Sequence, residues 1–358
     1  MKPLRVVFVA GGTGGHVFPA LSFGDWIRKK HPGTELFYVC GDRPLEKDIY
    51  AYCGIEPDVL PLEGSPRGVC GWDSAKRWKN LVLAFLRSLQ LLRRLRPDAV
   101  CLFGSYISLP VMMAAKMLGI RQVIHEQNAR AGQVTVLAQR WGLPVASGWP
   151  RCEPFKEGTT FFTGVPIRSV NRLHRDEAWH KLVSGRLCPQ RRMLLVLSGS
   201  LGSSDLESFA ERVVSSGSFR DWLLVEIGTV SEPTWRRETF LRLPRTWNMA
   251  PLFSLADFAL CRGGASTLWE LLLWGIPALV VPWRQACDDH QLANACSFQA
   301  LGGGSLWLEG VHRSEDIPDL LEAVRMKPDQ GPDQGRSIPG FTGDDICQSL
   351  WRVLTDTH

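Results

Sequence analysis

Short apolar runs rich in Val, Ile and Leu recur along this 358-residue chain. Each is followed by a small or glycine-containing turn and then by a segment whose apolar positions return every three or four residues. An apolar run of this length bounded by turn residues reads as a buried strand, and the longer periodic segment as an amphipathic helix. The first such unit is residues 4–10, then Gly11-Gly12-Thr13-Gly14-Gly15-His16, then a helix predicted to open near Pro19 and to cover residues 20–30. Further strands are predicted over 35–40, 99–103, 122–125 and 160–163, with a long helix over 78–95. After Pro166 the pattern restarts with a strand over 193–197, a turn at Ser198-Gly199-Ser200-Leu201-Gly202 and a helix over 205–214. Strands over 222–227, 258–261, 278–281 and 305–308 follow, with a helix over 265–274 and a last helix over 344–354. Strand and helix in alternation predict parallel sheets covered by helices on both faces. Two halves with the same grammar predict an α/β protein of two doubly wound, Rossmann-like domains facing each other across a cleft, because ligands bind at the carboxyl ends of such strands. The expected domains are 1–164 and 165–340, with a C-terminal helix in 341–358 packing back on the first.

Composition narrows the class. Hydrophobic residues make up 45% and charged residues 22%, which suits a folded protein with a core in each domain. Lys and Arg (41) exceed Asp and Glu (36) by only five, so no nucleic-acid partner is expected. The ten cysteines form no Cys-x-x-Cys, which argues against a zinc site or a disulfide framework and fits a reducing cytoplasm. The longest apolar stretch, 268–283, is broken by Glu270 and by Gly275-Ile276-Pro277, so no membrane span and no leader are expected. Pro328-Asp329-Gln330-Gly331 repeats at once as Pro332-Asp333-Gln334-Gly335 and predicts a loop over 327–340.

Two turns carry candidate chemistry. The four glycines of residues 11–16 leave the backbone open to a phosphate or sugar diphosphate, and the following helix aims its free N–H groups and positive dipole there. Glycine cannot transfer protons, so the hydroxyl of Thr13 and the imidazole of His16 are the first side chains to consider. The turn is neither a P-loop nor Gly-x-Gly-x-x-Gly. In the second half, Arg262-Gly263-Gly264 separates a strand from a helix that starts at Ala265, with Ser266 in its first turn: again an anion site, with Arg262 adding charge. Glu270 lies among Leu268, Trp269, Leu271, Leu272 and Leu273, where a carboxylate needs a partner. A ribose diol is one such partner and an ion pair at the rim is the other. Beyond the next strand, Asp288-Asp289-His290-Gln291 and Asn294 offer amides of the kind that read sugar hydroxyls, or simply a helix cap.

Taken together, Gly11–Ala20 as GGTGGHVFPA, His125-Glu126-Gln127-Asn128, Gly164-Val165-Pro166-Ile167-Arg168, Arg262-Gly263-Gly264-Ala265 with Glu270, and Asp289-His290-Gln291 with Asn294 resemble the MurG family of GT-B glycosyltransferases, in glycosyltransferase family 28. The resemblance covers nearly the whole chain, with all five motifs in order. It implies inverting transfer of N-acetylglucosamine from UDP-N-acetylglucosamine to the muramoyl 4-hydroxyl of undecaprenyl-diphosphate-MurNAc-pentapeptide, a step of peptidoglycan and cell-wall synthesis. The lipid-linked acceptor would meet residues 11–16, with Thr13, Gly14 and Gly15 also counted among the residues that bind UDP-N-acetylglucosamine. Glu270 would hold the ribose, Ser200 and Arg168 the diphosphate, and Arg262, Gly264, Ala265 and Ser266 the phosphates at the helix start. Gln291, His290 and Asn128 would grip the sugar, and Thr246 the uracil. A base is needed near the acceptor: His16 is the first choice, since an imidazole ordinarily titrates near neutral pH, and Glu126 the second. No Asp-x-Asp occurs, so neither a metal nor another cofactor is expected.

Some positions depart from the family pattern. Leu201 replaces a polar residue, Val165 stands where Asn or Thr is usual, and Ser105 stands where a second glycine is common; these bear on donor choice. Between Lys76 and Arg96 lie Arg77, Lys79, Arg87, Arg93 and Arg94 and no acid, interleaved with Trp78, Leu81, Val82, Phe85, Leu89 and Leu92. One reading is a basic amphipathic helix resting on an anionic membrane, at the inner face of the cell membrane. The other is an ordinary Rossmann helix with leucines on the sheet and solvated arginines. Alternatives for the whole chain are a related GT-B transferase or UDP-sugar epimerase with another acceptor, or a catalytically silent cell-wall scaffold. A dinucleotide oxidoreductase is disfavoured, since it would want Gly-x-Gly-x-x-Gly and a ribose-binding acid where only Asp42 is offered.

Overall fold

The computed structural model describes residues 3–65, 72–198, 204–215, 221–283, 289–313, 316, 319–320 and 341–356. The predicted turn at 199–202, with Ser200, and the predicted loop at 327–340 lie outside them. Two compact units are present, one formed by Met1–Arg168 with Gly343–His358, the other by Ser169–Thr342.

The first unit holds seven strands, β1 (Arg5–Val9), β2 (Glu35–Cys40), β3 (Asp58–Val59), β4 (Ala99–Leu102), β5 (Arg121–Glu126), β6 (Val145–Ser147) and β7 (Phe161–Phe162). They are parallel in the order β3-β2-β1-β4-β5-β6-β7. Val6, Val7, Phe8 and Val9 have no exposed surface, as a central parallel strand covered on both faces requires. Register pairs Val9 with Val39 on one side and Leu102 on the other. Strand order reverses between β1 and β4, which opens a crevice at their carboxyl ends.

Helices α1 (Gly14–Lys30), α2 (Pro44–Tyr52), α3 (Trp72–Leu95), α4 (Ser108–Met117) and α5 (Gln133–Arg140) cover this sheet. Helix α1 opens at Gly14, five residues earlier than predicted, and Pro19 lies inside it. Thr13 is the N-cap, with extended backbone at φ −142° and ψ 167°. Burial of Val17, Ala20, Phe23 and Ile27 outweighs the weak helix propensity of the two leading glycines. Helix α3 likewise begins six residues before its predicted start.

The last described helix, called α11 here (Gly343–Asp356), belongs to this first unit and lies against α1 and β5. It buries Ile346, Cys347, Leu350, Val353 and Leu354. Asp344 near its start accepts from Trp26 Nε1 at 2.6 Å and pairs with Lys30 at 3.2 Å, while Trp351 stacks on His31 with ring centres 4.3 Å apart.

The second unit repeats the plan with β8 (Met193–Leu197), β9 (Leu223–Gly228), β10 (Thr234–Arg237), β11 (Phe240–Pro244), β12 (Phe258–Cys261), β13 (Ala278–Val280) and β14 (Gly304–Leu306), in the order β10-β11-β9-β8-β12-β13-β14. All pairings are parallel except β10 on β11, an edge hairpin that the apolar pattern does not predict because its outer strand, Thr-Trp-Arg-Arg, is polar and largely exposed. Arg242 of β11 binds Glu226 of β9 at 2.7 Å and also contacts Glu207, tying the edge to the sheet. Burial pushes the Glu226 carboxyl above its ordinary range and Arg242 opposes that shift.

Helices α6 (Arg175–Leu182), α7 (Ser204–Ser215), α8 (Ala250–Leu255), α9 (Ala265–Trp274) and α10 (His290–Ala300) complete the unit. Its core includes Leu194, Val196, Phe209, Leu224, Leu260 and Leu279. Helix α9 stops at Gly275, whose left-handed φ of 66° suits glycine, with Pro277 just beyond. Strand order reverses between β8 and β12, so the turn after β12 again lies at a crevice.

Candidate active site

The turn after β1 is held from beneath by a residue that the sequence pattern does not single out. Glu46, in the first turn of α2, is fully buried. Its carboxylate accepts from Gly12 N at 2.7 Å, Gly41 N at 2.6 Å and the Tyr106 hydroxyl at 2.9 Å. Three donors make burial of a charge tolerable, where an unpaired one would cost several kcal/mol. Burial first, and then the Glu46 charge, push the Tyr106 phenol well above its ordinary range, so it remains a donor. Gly12 has φ +91°, and a Cβ there would lie 2.7 Å from Ser105 Oγ, so only glycine fits.

His16 stands in the first turn of α1, and its Nδ1 lies 2.7 Å from Gln127 Oε1. Gln127 Nε2 lies 2.9 Å from His125 Nδ1 and 2.9 Å from the His125 carbonyl. His125 Nε2 lies 2.9 Å from the Gly164 carbonyl. Burial pulls the His125 imidazole down to about 4, so it is neutral at working pH.

Glu126 has a different part. One carboxylate oxygen accepts from the backbone and side-chain N–H of Asn128 at 3.0 and 3.1 Å. The other accepts from Gly132 N at 3.0 Å and Thr135 Oγ1 at 2.6 Å. Four donors occupy a buried carboxylate at the start of α5, so this side chain fastens the loop after β5. Asn128 is bound into the same knot. Arg168 places its guanidinium 4.5 Å from the centre of the Phe18 ring of α1, a cation–π contact.

In the second unit the turn Arg262-Gly263-Gly264 is held by amides. Asn294, fully buried on α10, donates through Nδ2 to the Gly263 carbonyl at 2.9 Å. This bond ties α10 to the turn. Gln291 Oε1 accepts from Gly263 N at 3.3 Å and Trp283 N at 3.0 Å, which leaves the NH2 end of that amide to face elsewhere. A Cβ at Gly263 would lie 2.3 Å from the Gln291 carbonyl oxygen, so backbone meets backbone here. Arg262 is buried and donates to the Val281 carbonyl at 3.2 Å. Gly264 caps α9, Ala265 and Ser266 form its first turn, and Glu270, one turn on, is buried. His290 opens α10 behind Asp289, whose φ is +50°. Thr246 Oγ1 accepts from Asn248 N at 3.1 Å in a turn just before α8.

Two family models match this chain: the glycosyltransferase family 28 N-terminal domain over residues 6–146 and the family 28 C-terminal domain over residues 193–337. The UDP-N-acetylglucosamine/N-acetylmuramyl-(pentapeptide) pyrophosphoryl-undecaprenol N-acetylglucosamine transferase of Methylococcus capsulatus is 34% identical over 332 residues, covering 89% of this chain and 90% of that protein. The enzyme of the same name from Pseudomonas entomophila is 30% identical over 339 residues, covering 91% and 90%. The chain belongs to the MurG family, within glycosyltransferase family 28. The crystal structure of Acinetobacter baumannii MurG superposes with a TM-score of 0.69 at 22% identity, covering 99% of this chain and all of that one. SnogD of Streptomyces nogalater, another glycosyltransferase, gives 0.58 at 17% identity, covering 98% and 95%. The fold is GT-B and the chain is a glycosyltransferase.

As a MurG-family chain it groups its expected site residues in two places. Thr13, Gly14, Gly15, His16, Glu126, Asn128 and Arg168 are in the first unit; Thr246, Arg262, Gly264, Ala265, Ser266, Glu270, His290 and Gln291 are in the second. Glu46, Tyr106, His125 and Gln127 are not among the expected site residues, although His125 and Gln127 lie within a motif that marks the family. Helix α3 has one face on the sheet, as the Rossmann reading of its sequence expects, and leaves apolar residues exposed on another. Ala84, Leu89, Leu91, Leu92 and Leu95 are buried on the sheet, while Trp78, Val82 and Leu86 are 51%, 57% and 49% exposed.

Proposed function

We propose that this chain transfers N-acetylglucosamine from UDP-N-acetylglucosamine to the muramoyl 4-hydroxyl of undecaprenyl-diphosphate-MurNAc-pentapeptide, with inversion at the anomeric carbon. The relatives named for this reaction match about nine-tenths of the chain, and one observation in the site carries the chemistry. A glycine-walled turn at a strand-order reversal presents an imidazole that, among the described residues, is held on one nitrogen only. The acceptor O–H bond breaks as its proton passes to His16 Nε2, and the oxygen's electron pair forms the new bond to the anomeric carbon. The bond from that carbon to the β-phosphate oxygen breaks, and its electron pair leaves with UDP. Charge building on the diphosphate is met by the N-terminus of α9 and by Arg262, a route that calls for no metal. Glu270 holds the ribose, and the NH2 end of Gln291 faces the sugar. Glu126 acts as a brace, leaving His16 as the base.

The test is UDP release measured with and without a lipid-diphosphate muramoyl-pentapeptide analogue. Turnover should require the acceptor and fall by a factor on the order of 10³ in His16→Ala with UDP affinity retained. In Glu270→Ala, UDP should bind at least tenfold more weakly. Tight UDP binding with no turnover on this acceptor would overturn the substrate assignment.

The same reading places the protein on the inner face of the cell membrane as a peripheral enzyme. No helix among the described residues is long and apolar enough to cross a membrane. Trp78, Val82 and Leu86 recur every four residues on the outer side of α3, beside exposed Lys79 and Arg87. An apolar stripe with basic flanks suits an anionic lipid surface, each cation near it contributing about 1 kcal/mol. Flotation with anionic vesicles should succeed at low salt and weaken in Lys79→Glu/Arg87→Glu; no flotation at any salt concentration would exclude this surface.

A further inference from the structure

We propose that Gln127 and His125 are positioning residues that lock the imidazole of His16 in its Nδ1–H tautomer, so that Nε2 carries the lone pair that receives the acceptor's proton. This rests on the reading of His16 as the base and adds how that base is kept ready.

The direction of the hydrogen-bond chain is forced from its ends. The Gly164 carbonyl can only accept, so its 2.9 Å contact puts the ring proton of His125 on Nε2. His125 is buried and neutral, which leaves Nδ1 with a lone pair. That lone pair and the His125 carbonyl, each 2.9 Å from Gln127 Nε2, are two acceptors at one end of the amide. They identify that end as NH2 and turn Oε1 the other way. Oε1 is an obligate acceptor, so the atom 2.7 Å from it, His16 Nδ1, must carry a proton. A neutral imidazole has one ring proton, and here it is engaged. Among the described residues no hydrogen-bond partner reaches His16 Nε2. The opposite tautomer would set the Nδ1 lone pair against an oxygen lone pair and lose the bond as well.

An amide at position 127 orients the ring without adding charge. A carboxylate there would also accept from Nδ1–H but would favour the imidazolium, which cannot act as a base. Two titratable groups are tied to the His16 turn among the described residues: His125, behind Gln127 on β5, and Glu46 of α2. Glu46 reaches the turn through the Gly12 amide and accepts from Tyr106.

The experiment uses the full chain with 15N-labelled histidine. A long-range proton–nitrogen correlation is recorded at a pH high enough to keep the ring neutral, with the His16 signal assigned by its loss in His16→Gln. The expected pattern is Nδ1–H in the unaltered protein and a mixed or Nε2–H pattern in Gln127→Leu. Gln127→Leu should lower kcat by a factor of 10 to 100 with donor KM within twofold. Gln127→Glu should restore part of that loss and move the acid limb of the kcat profile up by about one pH unit. An Nε2–H pattern in the unaltered protein overturns the relay, and that reading does not depend on any variant folding. Unchanged kcat in Gln127→Leu overturns it too. Full turnover in His16→Gln would instead defeat the base assignment while leaving the tautomer result standing, so the two failures are distinguishable.

Discussion

The turns after β1 and after β12 are one backbone device built with two kinds of side chain. Each follows a buried strand at a reversal of strand order and opens a helix beside glycine. Behind the first stand a carboxylate, Glu46, and an imidazole, His125, both shut off from solvent. Behind the second stand the amides of Asn294 and Gln291. Amides do not titrate, so these supports of the second turn hold the same charge at every pH, which suits the holding of a diphosphate. The first turn is wired through a carboxylate held by three donors and an imidazole kept neutral by burial. The contrast lies in the supports of the two turns, since the turns themselves are alike.

The largest way to sharpen this contrast is pH. The unfolded chain protonates His125 as pH falls below about 6.5, while the folded protein resists until about 4. A lowered folded value means that the stability is fully present above 6.5 and is lost as pH falls from there to 4, by about 3 kcal/mol. Urea unfolding followed by hydrogen exchange in peptides of each unit should show this slope in the first unit, and His125→Gln should flatten it. An equal slope in the second unit would break the comparison.

Next is Gly263→Ala, where the new Cβ meets backbone at 2.3 Å and helix α10 must move. A loss of about 2 kcal/mol in the second unit is expected, read by the same exchange measurement, and a neutral result would show that α10 yields freely. The smallest effect is expected at Gly14→Ala in the first turn. There the Cβ would lie 3.3 Å from the Phe18 ring, a side chain that can give, and alanine favours the helix by about 1 kcal/mol, so stability should change by less than about 1 kcal/mol.

Much of the scaffold is legible from periodicity alone. β2, β8, β12 and α9 run over the residues that the apolar pattern marks, because buried strands and a leucine-rich helix carry strong signals. The hairpin β10–β11 is not legible, since its outer strand is polar and its pairing partner lies beyond a turn that no apolar repeat announces. The site is half legible. Glycines and His16 declare themselves by residue type. Glu46 does not, because one of two acids in Pro-Leu-Glu-Lys-Asp looks like part of a solvated helix start, and its bond to Gly12 spans thirty-four positions. Glu126 and Asn294 have the residue types of ligand-binding groups, yet Glu126 accepts from the loop after its own strand and Asn294 donates to the distant turn after β12. Residue type cannot distinguish a group that faces substrate from one that braces the wall behind it.

Helix α11 has a consequence for how the protein is made. It covers a strip of α1 and β5 in the first unit, yet it follows the whole of Ser169–Thr342 along the chain. At ribosomal rates of 5–20 residues per second, that interval lasts roughly ten to thirty seconds. Vectorial synthesis therefore completes the second unit while the first, begun earlier, still waits for the helix that shelters Trp26 and His31. The nascent protein finishes its two halves in the reverse of the order in which it starts them.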